Sequence, residues 1–203
     1  MRICLIRHGE TDWNRINRMQ GREDIPLNEA GVAQAHACGE ALQGLGIEAV
    51  YTSPLKRARR TAEEIASCVG LTESDVYPME KLIERDLGIF SGKCVEDRKK
   101  YFSIAASEDS SAGMEPFADV GVRMQQALEE LSGMGYKTVA AVSHGAAINV
   151  LLAGLSNHEM GTGKTKLHNG GITIIEGNTA SGFRIQQCNL LPSELNKAML
   201  TKP

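Results

Sequence analysis

A chain of 203 residues, 42% of them hydrophobic, is long enough to bury one α/β core and too short for two full domains. Its 22 Lys+Arg against 25 Asp+Glu leave a net charge of -3, which excludes a globally basic nucleic-acid or membrane-surface binder, so any attraction for anions has to be local. The five cysteines (Cys4, Cys38, Cys68, Cys94, Cys188) are odd in number, scattered and without a Cys-x-x-Cys pair, which reads as reduced thiols of a cytoplasmic protein rather than a disulfide framework or zinc site.

Arg2 to Ile6 predicts a short buried strand that ends abruptly in Arg7, His8 and Gly9. The polar pair arrives too soon for a signal-peptide apolar region. Open α/β sheets bind ligands at the carboxyl ends of their strands, where His8 stands. The segment from Asp12 to Leu27 has no clear period and predicts a long polar loop, a feature that is usually functional. Asn28 is a good N-cap for a helix that Gly44 and Gly46 stop, and Ala49 to Thr52 predicts a second strand.

Ser53-Pro54 predicts an N-cap followed by proline at the first helical position, with the helix running to about Val69 and Gly70 as its stop. Its first turns carry Lys56, Arg57, Arg59 and Arg60, cations placed against the helix macrodipole. A solvated basic face accounts for Lys56, Arg59 and Arg60. Arg57, in the first turn after a strand on the sheet edge of His8, reads as an anion ligand. A nucleic-acid patch is a weak reading, because no aromatics are interleaved.

Asp75 to Met79 predicts a third strand, followed by a charged loop holding Glu84, Arg85 and Gly88. Lys93 to Glu115 turns polar and reads as a lid-like excursion of a single domain, at about 93–116. Phe117 to Leu131 predicts a helix with Val120, Met124, Ala127, Leu128 and Leu131 inward. Thr138 to Leu155 carries no charged residue and approaches the length of a membrane span, but Ser143-His144-Gly145 and Asn149 interrupt it. It reads instead as a strand ending at His144 and a buried helix from Ala146. Gly161-Thr162-Gly163-Lys164-Thr165 has the look of a nucleotide P-loop, yet His158 stands where glycine is required and no strand precedes it. Ile172 to Glu176 and Phe183 to Gln187 predict two strands around a turn at Gly177-Asn178, and a short, loosely held tail starts at Pro192.

His8 and His144, with Arg7 and Arg57, suit phosphoryl transfer: one histidine neutral to attack phosphorus, the other charged to stabilise its oxygens, and guanidinium forks for the phosphate. A carboxylic acid must then protonate the leaving alkoxide, and Glu84 is the candidate, although a solvent-exposed loop glutamate is the simpler reading of it.

Leu5-Ile6-Arg7-His8-Gly9-Glu10-Thr11, with Trp13-Asn14, Gln20-Gly21, Pro26 to Gly31, Ser53-Pro54-Leu55-Lys56-Arg57-Ala58, Leu82 to Gly92 and Val142-Ser143-His144-Gly145, resembles the histidine phosphatase superfamily, also called the phosphoglycerate mutase-like family, over nearly the whole chain. The resemblance implies a three-layer α/β/α sandwich with a mixed, mostly parallel sheet. It implies His8 as the phosphorylated nucleophile, Arg7, Arg57 and His144 as phosphate ligands, Glu84 as proton donor, and Asn14, Gln20 and Gly21 in the pocket loop. Arg85 matches an arginine that follows the proton donor in mutases, which implies a place among the phosphate- or substrate-binding residues. No metal is implied, because arginine and histidine charge replaces it. The chain departs from the family at Ala146 and Asn149, where many members carry glycine and arginine, and at Gly113-Met114-Glu115-Pro116, where Gly-Gly-Glu-Ser is common.

The segment from Lys93 to Glu115 is shorter than the corresponding insertion of glycolytic mutases. A metal-independent phosphatase of small phosphomonoesters is therefore favoured, with a phosphoglycerate mutase primed by 2,3-bisphosphoglycerate as the alternative. No other cofactor, no nucleic acid and no membrane is expected. A small phosphorylated metabolite is the expected partner, and a symmetric homodimer is the default for a soluble oligomer.

Overall fold

A computed structural model describes residues 1–94 and 112–195 of the chain. Six strands form one sheet: β1 (Arg2–Arg7), β2 (Val50–Thr52), β3 (Val76–Pro78), β4 (Thr138–Ser143), β5 (Ile172–Asn178) and β6 (Gly182–Leu190). The order across the sheet is β3-β2-β4-β1-β5-β6, with β3, β2, β4 and β1 parallel and β5 and β6 antiparallel. The helices are α1 (Asp12–Arg15), α2 (Glu29–Leu42), α3 (Lys56–Val69), α4 (Phe117–Gly133) and α5 (Gly145–Leu155). Crossover helices on both faces make the sandwich and bury the central strands twice.

Strand periodicity divides the core in two. Ile3, Leu5, Val139 and Ala141 face α4 and α5, packing with Met124, Leu128, Leu131 and Leu152. Cys4, Ile6, Ala140 and Val142 face α2 and α3, packing with Leu42, Ala62 and Ile65. All five residues expected on the inner face of α4 are buried there. Burial pushes the Cys4 and Cys38 thiols up to about 12, and all five cysteines are free.

The parallel register sets up the site. Arg7 pairs with Ser143 and Thr52 with Val142, so His8, His144 and Ser53, each one residue further on, leave the sheet side by side. Gly9 then lies against Gly31 in the first turn of α2. A Cβ on either glycine would run into the backbone of the other segment, so the strand end and helix touch only because both positions lack a side chain.

Several expected elements shift. α3 starts at Lys56 with Leu55 as N-cap and no side-chain cap bond, because Ser53 is drawn toward His144; Gly70 closes the helix at φ 83 as expected. The β5–β6 turn falls at residues 179–181, since β5 runs through the expected Gly177-Asn178 corner and β6 starts at Gly182. Leu195 is fully buried against the α2–α3 side, so the tail is tied down at its start. Most of the excursion at 93–116 lies outside the described residues. Among the described residues, no helix is long and apolar enough to cross a membrane.

Candidate active site

The carboxyl ends of β1 and β4 open into a cavity of ≈ 810 Å³. Arg7, His8, Asn14, Gln20, Gly21, Arg57 and Glu84 line it, together with Asn149, Phe117 and the segment from Thr162 to Asn169. The wall carries Arg7, Arg18, Arg57, Lys164 and Lys166 against the single carboxylate of Glu84 among the described residues. This is the local attraction for anions that an acidic chain requires.

His8 is 2% exposed, and its Nδ1–H donates to the Gly9 carbonyl at 2.6 Å. A carbonyl only accepts, so Nδ1 carries the proton and the lone pair is left on Nε2. Burial, then Arg57 and Arg7, hold His8 well below the usual histidine range and keep it neutral. His144 lies behind it, buried and outside the cavity lining, with ring centroids 5.1 Å apart. Burial, Arg57 and His8 depress it as well. Its Nε2 meets Ser53 Oγ at 2.7 Å, while its Nδ1 is buried with no partner.

Arg57 is 0% exposed and reaches back from α3 to the pocket loop, donating from Nη1 to Glu23 O at 2.6 Å and from Nη2 to Gly21 O at 2.7 Å. Burial lowers it to about 10, which leaves it charged at neutral pH, and its Nε is buried without a partner. Its neighbours in sequence behave as a solvated face: Arg59 and Arg60 pair with Glu63 and Glu64 one turn on, and Lys56 with Asp24. Thr61 ties the helix to the end of β1, donating to Arg57 O at 2.7 Å and accepting from Gly9 N at 3.1 Å.

Arg7 donates from Nη1 to Leu167 O at 2.7 Å. Asn14 Oδ1 is occupied by donors from Thr11 and Asn169, so only its Nδ2 can serve a ligand. Gly21 sits at φ 53, and a Cβ there would meet Ser91 and Leu87. Gln20 is 8% exposed with its Oε1 unpartnered. Glu84 faces the start of α5: Oε1 accepts from Ala147 N and Arg85 N, both at 2.9 Å, and Oε2 from Ala146 N at 3.2 Å. Helix N–H groups thus aim a loop carboxylate that sequence alone could not distinguish from a solvated one.

Arg85, like His144, is a sequence-predicted residue that the structure keeps out of the cavity lining. Its Nε donates to Glu115 O at 2.6 Å and its guanidinium stacks 3.7 Å over the Phe117 ring, so it braces the wall from behind. Sequence reasoning missed Asn169, whose Nδ2 donates to the carbonyls of His8 and Gly9. It lies in an Asn-Gly-Gly turn that reads only as a loop. Also missed were Ser53 as the partner of His144 and the lining segment from Thr162 to Lys166.

The sequence profile of the histidine phosphatase superfamily (branch 1) matches residues 3–190. The chain belongs to that superfamily. Its relatives within the superfamily include an uncharacterized phosphatase, PhoE, of Bacillus subtilis, 37% identical over 175 residues, 86% of this chain and 87% of that one. A probable phosphoglycerate mutase, GpmB, of Erwinia tasmaniensis is 34% identical over 167 residues, 75% of this chain and 74% of that one. Among solved structures, a mutant phosphoserine phosphatase of Entamoeba histolytica in complex with phosphoserine superposes with a TM-score of 0.78 at 30% identity, covering 93% of this chain and 96% of that one.

Proposed function

We propose that this histidine phosphatase hydrolyses small phosphomonoesters through a phosphohistidine formed at His8, with no metal ion taking part. The observation that carries the reading is the Nδ1–H of His8 fixed on the Gly9 carbonyl, which presents a neutral Nε2 lone pair in a cavity edged by Arg7 and Arg57. Nε2 attacks phosphorus and the bond from phosphorus to the ester oxygen breaks. The departing alkoxide takes a proton from Glu84, whose Oε2 is the less engaged carboxylate oxygen. Arg7, Arg57 and the Asn14 amide hold the phosphoryl oxygens, and the unpartnered His144 Nδ1 and Arg57 Nε have the donor chemistry to join them once an anion arrives. In the second half, water gives a proton to the Glu84 carboxylate as its oxygen bonds phosphorus, the N–P bond breaks, and the electron pair returns to Nε2.

The mutase alternative, primed by 2,3-bisphosphoglycerate, drew support from Arg85, and the position of Arg85 behind Phe117 favours hydrolysis over substrate clamping. The test is phosphate release from a panel of phosphomonoesters, chelator present, with His8→Ala alongside. Release by the wild type and none by the variant is expected. Conversion of 3-phosphoglycerate to 2-phosphoglycerate without release, once a trace of bisphosphoglycerate is added, would establish the mutase instead. The free thiols fit a reducing compartment, and we assign the enzyme to the cytoplasm.

A further inference from the structure

The cavity lining away from His8 has a chemistry of its own. Gly161 to Thr165, the sequence that mimics a nucleotide loop, folds as a compact turn after α5. The amides of Lys164 and Thr165 donate to Gly161 O at 3.0 and 2.8 Å, and Gly161 N donates to Thr165 Oγ1 at 3.0 Å. The turn is anchored at both ends. Gly161 packs on α5 too closely to admit a side chain. Downstream, Leu167 and Asn169 bond to Arg7 and to the His8 carbonyl, and Asn189 grips Lys166 O and His168 N. It presents Lys164 and Lys166 to the cavity, and Arg18 joins them from the pocket loop. None of these cations is ion-paired to a described carboxylate: Lys164 Nζ donates to the His158 carbonyl, and Arg18 stacks 4.9 Å from the Trp13 ring centroid. In the same lining, the carbonyl oxygens of Gln20 and Asn149 are buried with no donor. Buried polar atoms of this kind cost free energy unless a ligand satisfies them.

We infer that this end of the cavity is a second subsite, in which Lys164, Lys166 and Arg18 take an anionic group on the alcohol part of the substrate and Gln20 and Asn149 accept hydrogen bonds from a hydroxyl or ammonium beside it. The inference rests on the phosphatase reading and narrows it. The substrates are phosphomonoesters whose alcohol part itself carries an anion and a hydrogen-bond donor, in preference to sugar monophosphates without a second anion or apolar esters. Uncompensated cations favour the anion, and unpartnered acceptors favour an O–H or N–H over a bare methylene. The apolar stretch of Met19, Leu87 and Phe117 supplies the van der Waals wall.

The test compares kcat/KM for 3-phosphoglycerate and O-phosphoserine, fructose 1,6-bisphosphate, and glycerol 3-phosphate, whose alcohol has hydroxyls and no second anion. The wild type is expected to prefer an anion-bearing substrate at least tenfold over glycerol 3-phosphate, with the carboxylate and bisphosphate arms telling which anion is taken. In Lys164→Gln/Lys166→Gln that ratio falls toward one. Asn149→Leu, which removes an acceptor and keeps the volume, lowers 3-phosphoglycerate relative to 3-phosphonooxypropanoate, its analogue without the hydroxyl. A wild-type ratio near one, or a ratio that survives the double lysine substitution, overturns the inference while leaving the phosphatase reading intact. If the wild type releases phosphate from nothing, the phosphatase reading fails by itself. Calorimetric affinities of 3-phosphoglycerate and glycerol 3-phosphate, in wild type and double variant, then decide the subsite by the same tenfold criterion.

Discussion

Arg123 Nη1 donates to the carbonyl of Ile83 at 2.6 Å, one residue before Glu84. The same nitrogen holds Lys81 O at 2.8 Å, while Nε and Nη2 grip Glu115, which in turn accepts from the Asp86 amide at 3.3 Å and from Arg22. Arg22 Nε completes the clamp on Glu84 O at 3.2 Å. The backbone on both sides of the proposed proton donor is therefore fixed by Arg123 of α4 and by Arg22 of the pocket loop.

Arg123→Met is expected to act through Glu84. It should lower kcat on alkyl phosphates by about 10- to 100-fold and spare para-nitrophenyl phosphate, whose leaving group needs no proton, because general acid help is worth about 100- to 10,000-fold only where the alkoxide is basic. Glu84→Gln should show the same dependence on leaving group, more deeply. Equal losses on both substrates, read from steady-state kinetics, would mean that Arg123 merely supports the fold.

Neutral, buried His8 and His144 link stability to pH. Both are held below the usual histidine range when folded and return to about 6.5 when unfolded, so below that pH the unfolded chain binds more protons. Stability is full above pH 6.5 and is lost as pH falls toward the folded values, by up to about 1.4 kcal/mol per pH unit for each histidine. Urea unfolding between pH 5 and 7 checks the slope, and His144→Asn should remove roughly half of it.

Gly9→Ala should destabilise by about 1–3 kcal/mol or more, since the added methyl meets the Gly31 backbone rather than a movable side chain. Thermal unfolding measures the loss. Activity should fall further than stability, because the contact sets where His8 leaves the sheet.

Arg57→Lys keeps a charge and loses the fork that joins Gly21 O to Glu23 O. A fall in kcat/KM of about 100-fold is expected, the scale of removing one oriented donor from a charged transition state. A drop within twofold in the same assay would show that charge alone suffices at this position.

The pairing of His8 with His144 was legible because two strands ended in histidine, and the parallel register turned that into proximity. α4 was legible from period, and all its predicted inner residues are buried. The N-cap role expected of Ser53 failed because a local rule was overruled by a tertiary one: the hydroxyl meets His144 at 2.7 Å. Asn169 and Lys166 were illegible for the opposite reason, since a loop without period carries no local signal and only packing on Arg7 and α5 aims it. Arg85 stands outside the cavity lining, because adjacency to Glu84 in sequence says nothing about which side of a backbone a side chain takes.

The proposed reaction passes through a phosphoryl group carried on His8. The decisive measurement is rapid quenching of turnover into alkali, where phosphohistidine survives, followed by mass spectrometry of the peptide that contains His8. A transient phosphoryl increment on His8, which disappears on acid treatment and is absent from His8→Ala, is the predicted result. Steady phosphate release with no label on that peptide at any quench time, or undiminished release by His8→Ala, would contradict it.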